Sequence, residues 1–249
     1  MSQLALNQVT DAATADSQWR SLCRAGGVAA LIQLACVVIT IIVAFTLGAE
    51  PTAADEYYAT LQNNRLVGLL RLDFTTLILL CLFAITSFGM YAALRRSNQA
   101  YAALATALIY VGMLLALANH SAFSMIRLSD QYAAATTAAQ REQLLAAGEA
   151  VIASDMWNST AGFLAGIFMQ GALVFISVVM LRGKEFSKGT AYTGILANGL
   201  DLAHVFIRLF LPSLATILLS VGGLFYLVWF PLLGRDLLRL GQGVSKERK

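Results

Sequence analysis

Residues 190–211 read TAYTGILANGLDLAHVFIRLFL. This stretch decides how often the chain crosses a membrane, because it is long enough to span one and polar enough to resist. A helix needs about 20 residues to cross the hydrocarbon core. Ten residues here are Leu, Ile, Phe or Val. Each returns about 0.5 kcal/mol near the centre of a span, and a central Asp costs roughly 3 kcal/mol. With Asn198, Asp201, His204 and Arg208 inside it, the sum is near zero. Such a segment inserts beside neighbours rather than alone.

Its neighbours are apolar enough to carry it. Of 249 residues, 58% are hydrophobic and only 12% are charged, and the mean hydropathy is +0.70. That is about half the usual soluble share of charge. It excludes a soluble globular domain, a disordered chain and a nucleic-acid binder. Five more spans are read at 25–47, 66–94 (uncharged from Phe74), 100–126, 156–181 and 213–233. The runs are continuous rather than alternating, which excludes barrel strands. The first 24 residues are mixed and polar, and the first apolar run is too long for a cleaved signal. The expected organisation is an irregular tail over 1–24, an all-α bundle of six transmembrane helices over 25–234, and a basic tail over 235–249.

Charge sets the orientation. With six crossings, Arg20, Arg24, Arg95, Arg96, Arg182, Lys184, Lys188, Arg235, Arg239, Lys246, Arg248 and Lys249 share one side, twelve of seventeen basic residues. The positive-inside rule makes that side the cytoplasm, and the expected location is the plasma membrane. If 190–211 does not cross, the basic C-terminus faces the wrong way.

The two long outer loops are acidic, with Glu50, Asp55, Glu56, Asp130, Glu142, Glu149 and Asp155. Each is expected to hold a helix. Thr52 and Asp55 have capping-box spacing ahead of Tyr58 and Leu61, and Thr136 or Thr137 opens a helix through Ala153. Leu144, Leu145, Gly148, Val151 and Ile152 make its apolar stripe. Gly162 with Gly166, and Gly26 with Ala30, have the small-residue spacing that lets helices approach closely. Trp19, Tyr57, Tyr58, Trp157 and Trp229 fall near span ends, as an aromatic belt does. Cys23, Cys36 and Cys81 form no metal or disulfide motif.

Ionisable residues inside a membrane need a reason. Counting from the outer span ends at 1.5 Å per residue, Asp73 and His204 lie ~10 Å deep and His120 ~9 Å deep. Arg71 and Arg208 lie nearer the outer surface, Asp201 lies near the midplane, and Asn119 adds a donor. Asn198, Asp201, His204 or Val205, and Arg208 share one helix face, which must therefore point inward. On this spacing Asp201 reaches His204, and His204 reaches Arg208. Three readings follow: a network holding the bundle together, an outward-open ligand or proton site, or a metal site of Asp73, His120, Asp201 and His204. No HxxxH or ExxH pair supports the metal, and no phosphate loop, GxSxG, HExxH or dinucleotide fingerprint is present. No cofactor is expected.

The stretches RAGGVAALIQL (24–34), TLQNNRLVGLLRLDFTTLILL (60–80), YAALRRSNQAYAALATAL (91–108) and LVWFPLLGRDLLRLG (227–241) together resemble a family of bacterial six-span membrane proteins, catalogued as a domain of unknown function of the DUF-four-three-eight-six type. The resemblance covers about residues 20–240. It implies a six-helix integral membrane domain and carries over no catalytic residue. The leading expectation is a non-enzymatic protein of the plasma membrane that meets the lipid bilayer and binds lipid, a membrane protein partner or a second copy of itself. The alternative is a small-molecule or proton site at Asp73, His120, Asp201, His204, Arg208, Arg71 and Asn119, serving transport or intramembrane catalysis.

Overall fold

In the computed structural model the described residues, 3–48 and 51–243 with side chains from residue 16, form helices and turns only. In order these are α1 (Gln3–Thr46), α2 (Ala54–Asn63), α3 (Arg65–Arg71), α4 (Phe74–Leu94), α5 (Gln99–Ala118), α6 (Ala122–Ala134), α7 (Ala138–Ala153), α8 (Thr160–Arg182), α9 (Lys188–Ile207) and α10 (Pro212–Gly241). Glu50, Lys246, Arg248 and Lys249 lie outside the described residues.

Five stretches are long and apolar enough to cross a membrane: Asp16–Thr46, Phe74–Leu94, Gln99–Ala134, Thr160–Arg182 and Pro212–Gly241. This is a multi-pass membrane protein. α9 has the length, at 20 residues, but is not among the five; Asn198, Asp201 and His204 dilute its apolar run.

Several expected boundaries move. Residues 3–24 of the expected N-terminal tail belong to α1. They hold Gln3, Leu4, Ala5, Leu6, Ala12, Ala13 and Ala15, good helix formers, and extending a helix is cheaper than nucleating one. The third span is not continuous, because it breaks at residues 119–121 between α5 and α6. Of the C-terminal tail expected from 235, residues 235–241 form the last seven residues of α10, about two turns. α2 begins after Ala53, which has no polar side chain to cap it, so the Thr52–Asp55 box does not form; instead the Thr52 N–H donates to Glu56 Oε2 at 2.8 Å. Tyr58 and Trp229, expected in an interfacial belt, are both 0% exposed.

The chain divides into two compact units, one gathering the described parts of residues 1–34, 82–110 and 170–249, the other residues 35–81 and 111–169. In the first unit α1 carries adjacent glycines on two faces. A Cβ on Gly26 would lie 2.8 Å from Gly89 Cα of α4, and one on Gly27 would lie 3.0 Å from Gly234 O of α10. The two glycines, about 100° apart on the helix, let α1 touch two neighbours backbone to backbone. The Gly26 half of the small-residue expectation therefore holds, whereas Gly162 faces the Met156 carbonyl of its own preceding turn.

α9 and α10 form an antiparallel hairpin. At one end Asp236 Oδ2 accepts from the Ser187 N–H at 2.7 Å and from Thr190 Oγ1 at 2.6 Å. Midway Tyr226 meets Asn198 at 3.0 Å. Near the turn a His204 ring nitrogen lies 3.0 Å from Ala215 O. α9 thus runs the length of α10 from Asp236 back to Ala215. At the Asp236 end Arg239 donates to Glu185 O at 3.1 Å, and Arg24 Nε donates to Gly241 O at 2.9 Å. Arg95 stacks on Trp19 at 4.3 Å, and both Arg95 and Arg96 pair with Asp16.

In the second unit α2, α6 and α7 close over one apolar cluster. Ala54, Tyr57, Tyr58, Leu61, Ala122 and Met125 form its centre, and Leu145, Val151 and Ile152 of α7 pack against it. The α7 cap falls on Thr137, one of the two expected positions, and Gln140 completes a capping box with it. Glu149 Oε1 accepts from the Ala54 N–H at 2.7 Å, capping α2 from α7. Tyr58 Oη donates to Leu144 O at 2.8 Å. Burial first, then the charge of Glu149 and the Tyr132 phenol, push the Tyr58 hydroxyl up to about 12, so it remains a donor at any ordinary pH. Gly148 lies directly against Tyr58 Oη and Ala54 Cβ, which explains the one buried position of the α7 stripe.

Candidate functional site

The most developed site lies in the second unit, where two helices break. Leu72 and Asp73 separate α3 from α4, and residues 119–121 separate α5 from α6. Each break is built by its own polar residue. Asp73 sits at φ 54, the left-handed region that Asp enters more readily than most side chains because it bonds locally. Its Oδ1 accepts from Thr76 Oγ1 at 2.7 Å and its carbonyl accepts from the Thr76 N–H at 2.9 Å, which starts α4. His120 does the same for α6: its Nδ1 accepts from the Ala122 N–H at 3.2 Å.

The two breaks meet. His120 Nε2 lies 3.3 Å from the Asp73 carbonyl. Because Nδ1 accepts, the proton resides on Nε2, and the ring bridges the breaks as the Nε2–H tautomer. A third turn completes the site. Asp155 Oδ2 accepts from the Ser121 N–H at 3.2 Å, and its Oδ1 accepts from the Trp157 N–H at 3.0 Å.

These turns surround a cavity of about 370 Å³. Asp73, His120, Asp155 and Asn158 supply polar atoms to its wall, and Tyr57 and Trp157 supply aromatic faces. Trp157 is 45% exposed. Arg71 also lines it, with its guanidinium turned to the end of α1: Nη1 donates to Gly48 O at 3.0 Å and Nη2 donates to Leu47 O. A cation on the last carbonyls of a helix satisfies orphan acceptors and the dipole together.

Of the seven candidate residues, Asp73, His120 and Arg71 therefore line one cavity. Asn119 does not: its Nδ2 donates to Leu115 O at 2.8 Å, closing the last turn of α5. Asp201, His204 and Arg208 belong to the other unit. There the inward face of α9 is as expected, with Asn198 0% exposed, but the partners differ. Asp201 Oδ2 accepts from Gln170 Nε2 at 2.7 Å and lies 3.1 Å from Tyr226 Oη, while the hydrogen bond of His204 goes to Ala215 O rather than along α9. Arg208 is the C-cap of α9, its N–H donating to His204 O and Phe206 O. The described residues contain no group of three or more His, Cys, Asp or Glu side chains placed to hold a metal ion.

Sequence reasoning missed Asp155, Gln170 and Tyr226. Asp155 was one acid among several in a loop. Gln170 is a lone amide in the apolar run of α8, and Tyr226 lies far from either end of its span. A solitary polar side chain in mid-span is the only signal these residues give, and it names no partner.

No protein-family model, no curated protein and no solved structure matches the chain.

Proposed function

We propose that this protein crosses the plasma membrane six times, with both termini on the cytoplasmic side, and that its second unit binds a small polar ligand in the cavity between the helix breaks. The cavity carries the binding reading. Its wall gathers carboxylates, a carbonyl and an imidazole at the three turns that join α3 to α4, α5 to α6 and α7 to α8, beside two aromatic rings. Pockets that bind small molecules combine such convergent polar groups with apolar faces. The ligand chemistry that fits is a small solute, or the headgroup of an amphiphile, that carries both hydrogen-bond donors and acceptors, because Asp73 and Asp155 line the wall together with Arg71, His120 and Asn158.

Six crossings are supported by the α9–α10 hairpin. α9 runs back along a helix long enough to span, so its polar face is covered by α8 and α10 rather than by lipid. The same hairpin brings Glu185, Asp236, Arg239, Arg24 and Gly241 to one end, as the positive-inside arrangement requires. The exposed Ile42, Phe45, Leu114 and Leu224 are the surface a bilayer covers.

Two measurements test these readings. A single reactive cysteine placed at Gln242 in a chain lacking Cys23, Cys36 and Cys81 is expected to resist an impermeant thiol reagent on intact cells and to react after lysis. Labelling on intact cells removes the six-span reading. For the cavity, the full chain in lipid nanodiscs is screened with polar solutes by native mass spectrometry. The His120→Asn variant retains an oxygen that accepts from the Ala122 N–H but cannot reach Asp73. It is expected to fold and to weaken any retained solute about tenfold, the worth of one hydrogen bond. Equal retention by wild type and variant, or no solute retained, rejects the site.

A further inference from the structure

In the first unit three oxygens converge on one phenol. Tyr226 Oη lies 3.0 Å from Asn198 Oδ1, 3.1 Å from Asp201 Oδ2 and 3.3 Å from Gln170 Oε1. The amides are held in this orientation by their other ends. Asn198 Nδ2 donates to Gly194 O at 2.8 Å, and Gln170 Nε2 donates to Asp201 Oδ2 at 2.7 Å.

A tyrosine hydroxyl has one proton to donate. If Asp201 is ionised, that proton satisfies one oxygen and leaves two facing the phenol oxygen with no hydrogen between them. In a low-dielectric interior such a deficit is costly. One further proton repairs it. A proton on Asp201 Oδ2 donates to Tyr226 Oη, freeing the phenol to donate to Asn198 Oδ1, so that both shorter contacts become hydrogen bonds and only the 3.3 Å approach of Gln170 Oε1 remains. The charge balance agrees, since the ion pairs of the described residues do not include Asp201. The ionisable groups facing it are His204, one turn along α9 and bonded to Ala215 O, and Tyr226 from α10. Arg208 lies a further turn along α9, and α8 contributes the neutral Gln170.

We propose that Asp201, with Tyr226, Asn198 and Gln170, is a monocation site whose occupant is a proton. The folded chain holds it as a hydrogen bond from the carboxyl to Tyr226. Release of the proton takes away that bond and obliges Tyr226 to choose between Asp201 and Asn198, so proton release and the α9–α10 contact at this level are one event.

The test uses the full chain in lipid nanodiscs at neutral pH. Infrared absorption of wild type minus Asp201→Asn is expected to contain a carboxylic-acid carbonyl band that moves in deuterated water. Tyr226→Phe is expected to shift that band without removing it. Asp201→Asn replaces a neutral donor with a neutral donor, so its melting temperature is expected to stay within a few degrees of wild type. A difference spectrum without the acid band overturns the proposal, as does a large loss of stability in Asp201→Asn. If that variant does not fold, an acid band unmoved by Tyr226→Phe overturns it independently. Stabilisation of wild type by sodium chloride over choline chloride at equal ionic strength, lost in Asp201→Asn, assigns the carboxylate to a sodium ion and also overturns it.

Discussion

A chain carrying Gly89→Leu is expected to lose about 3 kcal/mol of folded stability, the upper part of the usual cost of forcing bulk into a filled interior. A Cβ at this position would stand 2.9 Å from Gly26 Cα and 3.3 Å from Leu22 O, so the obstacle is backbone on the facing helix, which has no rotamer to yield. α1 cannot retreat freely, because Gly27 holds it against Gly234 of α10 on the adjoining face. Relief at one contact therefore disturbs the other. The measurement is the melting temperature of purified protein, with Gly223→Leu as the control. Gly223 has nothing within 4 Å of a built Cβ, and its variant is expected to remain close to wild type. Equal melting temperatures for Gly89→Leu and Gly223→Leu would show that α1 and α4 do not cross at these glycines.

Asp236→Ala is expected to have a comparable effect through chemistry rather than bulk. The carboxylate is 0% exposed and receives the Ser187 N–H, the Thr190 hydroxyl and the Arg235 guanidinium, the last at 3.2 Å. It caps α9 from another helix, where the cap within α9 is Ser187 Oγ accepting from the Thr190 N–H at 3.1 Å. Hydrogen bonds to a charged group are worth about 1.5–3 kcal/mol each, and truncation leaves buried donors unmet. A loss of about 3 kcal/mol follows, together with faster amide exchange over residues 187–191. Unchanged exchange there would mean that α9 starts without help from α10. Asp236→Asn retains an acceptor and is expected to fall between the two.

How much of this was readable in advance depends on how far the information lies from the residue that carries it. The α7 start was readable because Thr136 and Thr137 stand directly ahead of a helical run, although Gln140 as the partner was not named, and the buried side of α2 because Tyr58 and Leu61 share a helical face. The apolar spans were readable from composition. The break at Asp73 was half visible, since the uncharged run begins at Phe74. The break at His120 was not, because Asn119, His120 and Ser121 stand between apolar residues on both sides and read as polar side chains within one span. Depth counting placed Asp73 and His120 at one level, and they do meet. It treated them as intruders in continuous helices, however, when each ends one helix and starts the next. The partners of Asp201 were out of reach: Gln170 is 31 residues before it and Tyr226 is 25 after it. Spacing along α9 pointed instead to His204, the near neighbour, which bonds elsewhere.

The three tryptophans occupy three different surroundings. Trp157 stands half open at the cavity between the helix breaks, Trp229 is sealed among Tyr226 and Phe230, and Trp19 is covered by a guanidinium. The wild-type chain therefore carries its own optical reporters. A water-borne quencher such as acrylamide should dim Trp157 first and Trp229 last, so that occupancy of the cavity registers as protected emission without any attached dye.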